Sequence, residues 1–447
     1  MDERNERNES DEQREGNEER EGNQARKGTQ AGTVSGGAAG GEDPAEISDS
    51  DAARERRFRA ARGAERALWR PAAQRTVRER LEELAALANC NGTEDTGARD
   101  TPDTHDAYGL DSQVDIYGDG IIHRLEKRVA TLLGTEAAAF FPTGTMAQQV
   151  ALRCWASRTG SNTVALHPLA HPEIHERDAL SALSGLRTIH PTSAPRLPSA
   201  AEIESLQEPF GTLMLELPLR EAGFVLPTWE ELTATVEAAR ERDAVVHLDG
   251  ARLWECTTHF GRPLDEIAAL ADTVYVSFYK SLEGLSGAAL AGPRTLIDEA
   301  VTWRHRYGGQ LFQQFPAAAS ALSGLDTELP RLPSYVEHAR VVAAAMDTAF
   351  GNSELGWHRV HPRIPHTHQF QLWLPYSPEL LNEVSVTMAE QTGTALFRHW
   401  GTTPTAPPGV ACTEVTVARA GLEWTEAEVA EAVGEFVRRV REVDGEG

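Results

Sequence analysis

Residues 244–280 read AVVHLDGARLWECTTHFGRPLDEIAALADTVYVSFYK, and two apolar runs within them, AVVHLD (244–249) and TVYVSFYK (273–280), decide the fold. Both are rich in β-branched and aromatic residues, the composition of strands. Each ends on a charged side chain, Asp249 in the first and Lys280 in the second. Lys280 is one of only three lysines in 447 residues, because arginine supplies nearly all of the 43 Lys+Arg. Lys27 falls in a charged tail and Lys127 on a predicted helix face, so Lys280 alone follows a strand-like run.

Outward from this stretch, strands alternate with helices. IIHRLEKRVATLLG (121–134) is amphipathic and stops at Gly134, a suitable C-terminal cap. EAAAFFP (136–142) reads as a buried strand and TMAQQVALRCWAS (145–157) as the helix after it. TLMLEL (212–217) and AALAG (288–292) are further strands. A helix over 228–242 opens with the capping-box pair Thr228 and Glu231, just after Pro227. This alternation is the mark of an α/β sheet. From about residue 330 the pattern changes. The strands HQFQLWL (368–374) and TEVTVA (413–418) are separated by helices over 378–393 and 424–443, a smaller α+β domain.

Residues 1–50 hold no Leu, Phe, Trp or Tyr, and only Val34 and Ile47 among the β-branched aliphatics. Such a segment buries too little apolar surface to offset its ordering entropy, so disorder is expected. GTVSGGAAGGEDP (32–44) completes it as a flexible linker. RTVRERLEELAALA (75–88) has a helical period, with Val77, Leu81, Leu84 and Leu87 near one face. The polar stretch from Asn89 to Asp115 reads as a surface loop, His105 included, rather than a metal site. The expected organisation is a disordered tail and linker (1–55), an N-terminal helix and loop segment (56–116), a large α/β domain (117–328) and a small C-terminal domain (329–447).

A formal charge of -25 argues against nucleic-acid binding and against attraction to an anionic membrane. Cys90, Cys154, Cys256 and Cys412 are scattered without metal-type spacing, as reduced thiols of a cytosolic protein. No apolar run approaches bilayer length, and MDERNERNES is too charged for a secretory signal. A cytoplasmic location is therefore expected.

Three motifs carry chemistry. PTGT (142–145) lies between a strand and a helix, where backbone N–H groups and the helix dipole favour an anion. Gly144 permits close approach there and Thr145 adds a hydroxyl donor. Asp249 stands at a strand's carboxyl end, the border of the ligand crevice in open α/β sheets. Bonded to a pyridine nitrogen, it would keep that ring protonated as an electron sink. Arg252 offers a planar fork to a carboxylate or a phenolate. Ser277, three residues before Lys280, can donate to the same phosphate, and Gly284 and Gly287 let the chain turn away. A desolvated Lys280 suits Schiff-base formation. The series PTGT, HLDGAR, SFYK matches the needs of a pyridoxal 5'-phosphate (PLP) site. The absence of GxGxxG after a strand disfavours a nucleotide-binding oxidoreductase.

From about Tyr117 to Gly324 the chain resembles the threonine aldolase branch of the β-eliminating lyase family. The likeness rests on YGDG with LEKRVATLLGTEAAAFFPTGTMA, on LAHPEIHE, on HLDGARLW and on SFYKSLEGLSGAALAG. The resemblance implies a type I PLP-dependent transferase fold, a large α/β domain with a mostly parallel sheet plus a smaller C-terminal α+β domain. It makes Lys280 the Schiff-base lysine and Asp249 the pyridinium partner. Gly144 and Thr145 fall in the phosphate loop, and His171 is the ring-stacking histidine. Arg252 would hold the cofactor or the substrate carboxylate. It also implies a homodimer or homotetramer acting on an amino acid, by retro-aldol cleavage of a threonine-like β-hydroxy-α-amino acid to glycine and an aldehyde. His171 is then the nearest group to orient the hydroxyl, and Glu221 a poorer one, read as an exposed turn residue.

The chain departs from the family on the substrate side. The segment ELPLREAGFVLP (216–227) has no histidine, YGGQLFQQF (307–315) lacks an arginine, and Thr413 falls near a missing C-terminal arginine. Another PLP reaction (β-elimination, racemisation or transamination) or a non-catalytic PLP-fold binding protein are the alternatives.

Overall fold

The computed structural model describes residues 51–69, 75–87 and 113–445. Its strands are β1 (Arg66–Ala67), β2 (Ala137–Phe141), β3 (Thr163–Ala165), β4 (Arg187–Ile189), β5 (Thr212–Glu216), β6 (Val245–Gly250), β7 (Thr273–Ser277), β8 (Ala288–Gly292), β9 (Arg359–His361), β10 (Gln369–Leu374), β11 (Thr394–Ala395) and β12 (Ala411–Thr416).

Seven of them form one sheet in the order β2-β8-β7-β6-β5-β3-β4. From β7 to β4 all neighbours pair in parallel, and β8 alone runs the other way between β7 and β2. Successive side chains of a strand point to opposite faces, and β7 distributes them between two cores. Val274 and Val276 pack with Leu125 and Val129 of helix Ile121–Leu132 and with Leu232 and Val236 of helix Trp229–Arg240. Tyr275 packs with Val150 and Cys154 of helix Gly144–Thr159 and with Leu296 and Ala300 of helix Arg294–Arg306. The sheet is thus covered on both sides, which explains why its strands read as unbroken apolar runs.

Local signals behave as their chemistry requires. The Thr228–Glu231 capping box forms in both directions. Gly134 adopts φ +63° and follows the helix that ends at Leu132.

The C-terminal part is built on an antiparallel sheet, β12-β10-β9. Phe370 and Leu372 of β10 share a core with Val342 and Met346 of helix Leu332–Gly351, Val384 of helix Pro378–Thr392 and Phe436 of helix Glu426–Gly445. Leu68 joins that core, and β1 pairs in parallel with β11. A helix spans Asp51–Gly63, beginning inside the stretch expected as tail. Its Arg56 bridges Glu383 and Glu390 at 2.8 and 2.7 Å. Helix Val77–Leu87 forms, with Val77 and Leu81 of its apolar face 78% and 60% exposed and Leu84 half-buried. Residues 1–50, and most of the expected loop with His105, lie outside the described residues. Among the described residues no helix is long and apolar enough to cross a membrane.

Two antiparallel steps through β8 bring β2 back into the direction of β5, β6 and β7. The carboxyl ends of these four strands therefore lie along one edge, where ligands bind in open α/β sheets.

Candidate active site

That edge carries PTGT after β2, Glu216 at the end of β5, Asp249 near the end of β6 and Ser277 at the end of β7, with Lys280 just beyond. Thr143 caps helix Gly144–Thr159 by accepting from Met146 N at 3.2 Å. Gly144 opens the helix, and a Cβ there would clash with Tyr275 Oη. The tyrosine of β7 crowds this position, a constraint that sequence reading assigned only to an anion. Thr145 follows in the first turn. Ser277 is fully buried, and its Oγ has no hydrogen-bond partner among the described residues. Buried hydroxyls rarely go without a partner, so this one fits a ligand oxygen.

Burial of the Lys280 amine and the nearby Arg252 guanidinium push its pKa down to about 8. Asp249 is buried and accepts from Ala251 N at 3.1 Å. Burial pushes its carboxyl up, while Lys280 and His171 pull it back. A protonated ring nitrogen as partner would favour its charged form further. The Arg252 guanidinium lies 5.3 Å over the Phe224 ring.

His171 begins a short helix, His171–His175. Its Nδ1 lies 3.2 Å from Glu176 Oε1, and Glu176 Oε2 accepts from Gln149 Nε2 at 3.1 Å. A carboxylate only accepts, so this contact places the histidine's proton on Nδ1 and fixes the ring's orientation.

Sequence reading passed over Glu216. It pairs in register with Asp249 across β5 and β6. Its Oε2 accepts from His171 N at 2.8 Å and its Oε1 from Arg220 N at 3.2 Å. Burial, then the neighbouring Asp249, raises its pKa to about 7. The signal was present, since TLMLEL ends on a charge as AVVHLD does. Glu221 is also not the exposed turn residue expected. Its Oε1 receives His175 Nε2 at 2.9 Å and Arg220 Nη1 at 2.7 Å, and Arg220 Nη2 reaches Glu414 of β12 at 2.8 Å. Burial alone would raise the Glu221 carboxyl, but the His175 hydrogen bond and Arg220 outweigh it and the net shift is downward. Thr413, near the missing arginine, is buried with its hydroxyl unpartnered among the described residues.

An α/β/α sheet with a half-buried lysine and a buried aspartate at the ends of adjacent strands, followed by a smaller α+β layer, is the type I fold of PLP-dependent enzymes. Serine palmitoyltransferase of Sphingomonas wittichii shares the fold, with a TM-score of 0.54 at 14% identity over 82% of this chain and 84% of its own. The family model described as beta-eliminating lyase matches residues 102–354, and the chain belongs to that family. A candidate L-allo-threonine aldolase of Listeria monocytogenes superimposes with a TM-score of 0.73 at 32% identity, covering 87% of this chain and 99% of its own. The low specificity L-threonine aldolase of Escherichia coli (strain K12) is 31% identical over 242 residues, 53% of this chain and 72% of the relative.

Proposed function

We propose that this chain is a PLP-dependent lyase that cleaves a β-hydroxy-α-amino acid, threonine-like, to glycine and an aldehyde. The observation that carries the reading is the meeting of half-buried Lys280 and buried Asp249 at the ends of β7 and β6, beside the Ser277 hydroxyl that is unpartnered among the described residues. When bound, PLP supplies an electron sink for the pair released from the broken Cα–Cβ bond.

The chain's own residues then have defined tasks. Lys280 holds the cofactor covalently, and a pKa near 8 makes its neutral, nucleophilic amine accessible at physiological pH. Asp249 keeps a proton on the ring nitrogen. Gly144 and Thr145 at the helix start, with Ser277, take the phosphate. His171 packs on the ring, held in place by Glu176. Arg252 faces the substrate carboxylate or the cofactor's ring oxygen. The substrate class is supported by the names of the relatives, the Escherichia coli enzyme above all. A homodimer or homotetramer in the cytoplasm completes the proposal, by the family resemblance and the acidic charge.

One observation favours a second reading, another PLP reaction such as β-elimination. The segment 216–227 has no histidine. Incubating the PLP-loaded protein with L-threonine separates the two. Retro-aldol cleavage yields acetaldehyde and glycine, and the release of ammonia and a 2-oxo acid without aldehyde sinks the retro-aldol reading in favour of the second.

A further inference from the structure

Covalent attachment of the cofactor needs the Lys280 amine at one place, yet that amine ends a flexible four-carbon stem. Its reach is set by the backbone turn that carries it. One short element, the 3-10 helix Leu253–Glu255 directly after Arg252, holds that turn on both sides. Before the lysine, Trp254 Nε1 donates to Ser277 O at 2.9 Å. After it, Ser281 Oγ donates to Glu255 Oε2 at 2.6 Å. Within the turn, Glu283 N donates to Lys280 O at 3.2 Å. The same helix follows closely on Asp249 in β6, so it links the lysine turn to the strand end that carries the pyridinium partner.

Glu255 is a costly group to use as a clamp. It is fully buried, and a buried carboxylate is tolerated only when paired. Its partner comes from the C-terminal part, where buried His368, just before β10, places Nε2 2.7 Å from the same Oε2. His368 Nδ1 donates to Val417 O at 2.8 Å, and since a carbonyl only accepts, that nitrogen carries a proton. Burial alone would lower the His368 imidazole and raise the Glu255 carboxyl, but their mutual attraction outweighs it in both. Both contacts fall on one oxygen, and Glu255 Oε1 is buried with no hydrogen bond among the described residues. An apolar side chain would fill this position without that cost, whereas only an acceptor can hold the Ser281 hydroxyl.

We infer that Glu255 is a positioning residue for Lys280, acting through Ser281 and anchored by His368. The inference rests on Lys280 being the cofactor lysine, as proposed above. Loosening this clamp displaces the amine and leaves the groups assigned to the phosphate and the ring in place.

The test follows PLP attachment, as growth of the visible band after the cofactor-free protein is mixed with PLP. It is read beside affinity for pyridoxamine 5'-phosphate, which carries an amine in place of the aldehyde and cannot bond the lysine. Ser281→Ala should slow attachment by about 10²-fold, the cost of misplacing a reacting group by about 1 Å. Its affinity for pyridoxamine 5'-phosphate should match that of wild type. Glu255→Gln keeps an acceptor for Ser281 but loses the charge facing His368. It should slow attachment by a smaller factor with the same selectivity, and it decides the matter should Ser281→Ala not fold. Attachment at the wild-type rate in a folded variant, or both readouts falling in step, overturns the assignment. Failure of both variants to fold makes the cluster a contact of the fold and overturns it too. A wild type that gains no visible band with PLP overturns the reading of Lys280 itself, whereas a wild-type band with unaltered variants overturns only the role of Glu255.

Discussion

Ser277→Ala separates a ligand-binding hydroxyl from a structural one. Ser277 ends β7 inside the sheet, and its carbonyl accepts from Trp254 Nε1 at 2.9 Å, a contact that alanine preserves. Its Oγ is buried and unpartnered, so removing it from the cofactor-free protein deletes no hydrogen bond among the described residues. An unsatisfied buried hydroxyl costs about 1–3 kcal/mol, so cofactor-free Ser277→Ala should melt no lower than wild type and by this reasoning higher. A hydrogen bond to a charged group contributes about 1.5–3 kcal/mol. Its loss should raise the Kd for PLP by about 10–150-fold. A spectroscopic PLP titration and a thermal melt of the cofactor-free protein read the two quantities. An unchanged Kd together with a lowered melting temperature would show that the hydroxyl supports the fold and not the phosphate.

Two further outcomes follow from the same edge of the sheet. Glu216 is raised from 4.5 to about 7, so between those values the folded protein keeps a proton that the unfolded chain has lost. Stability should therefore fall as pH rises through that window, and Glu216→Gln should flatten this part of the curve in denaturant titrations at successive pH values; an unaltered slope refutes the assignment. Gly144→Ala should lower both stability and PLP affinity, since its Cβ meets Tyr275 Oη. Tyr275→Phe in the same chain should recover part of the loss, and strictly additive effects in that double-mutant cycle would rule out the contact.

The parts of the fold that were legible in the sequence are those whose burial is continuous or whose chemistry is local. β5 to β8 are buried along nearly their whole length and show as apolar runs, while the capping box at Thr228 and the stop at Gly134 are fixed by residues within one turn. β3 and β4, three residues each, are too short to show a period. Helix Leu332–Gly351 went unassigned, its alanines blurring the contrast between buried and exposed faces. The site divides in the same way. PTGT, HLDGAR and SFYK are contiguous motifs, so Gly144, Asp249, Ser277 and Lys280 could be picked out one by one. The His175–Glu221 pair joins residues 46 apart, and Arg220, in the turn after β5, meets Glu414 of β12, so only folding brings those groups together.

Attachment of PLP to Lys280 is the central claim, and the scarcity of lysine makes it directly measurable. Reducing the PLP-loaded protein with borohydride fixes the cofactor to whichever amine holds it, and peptide mass mapping must then choose among Lys27, Lys127 and Lys280. The label is predicted on the peptide containing Lys280 alone, with the visible absorbance band lost in Lys280→Ala. A label on Lys27 or Lys127, or no label under conditions where PLP is bound, contradicts the account.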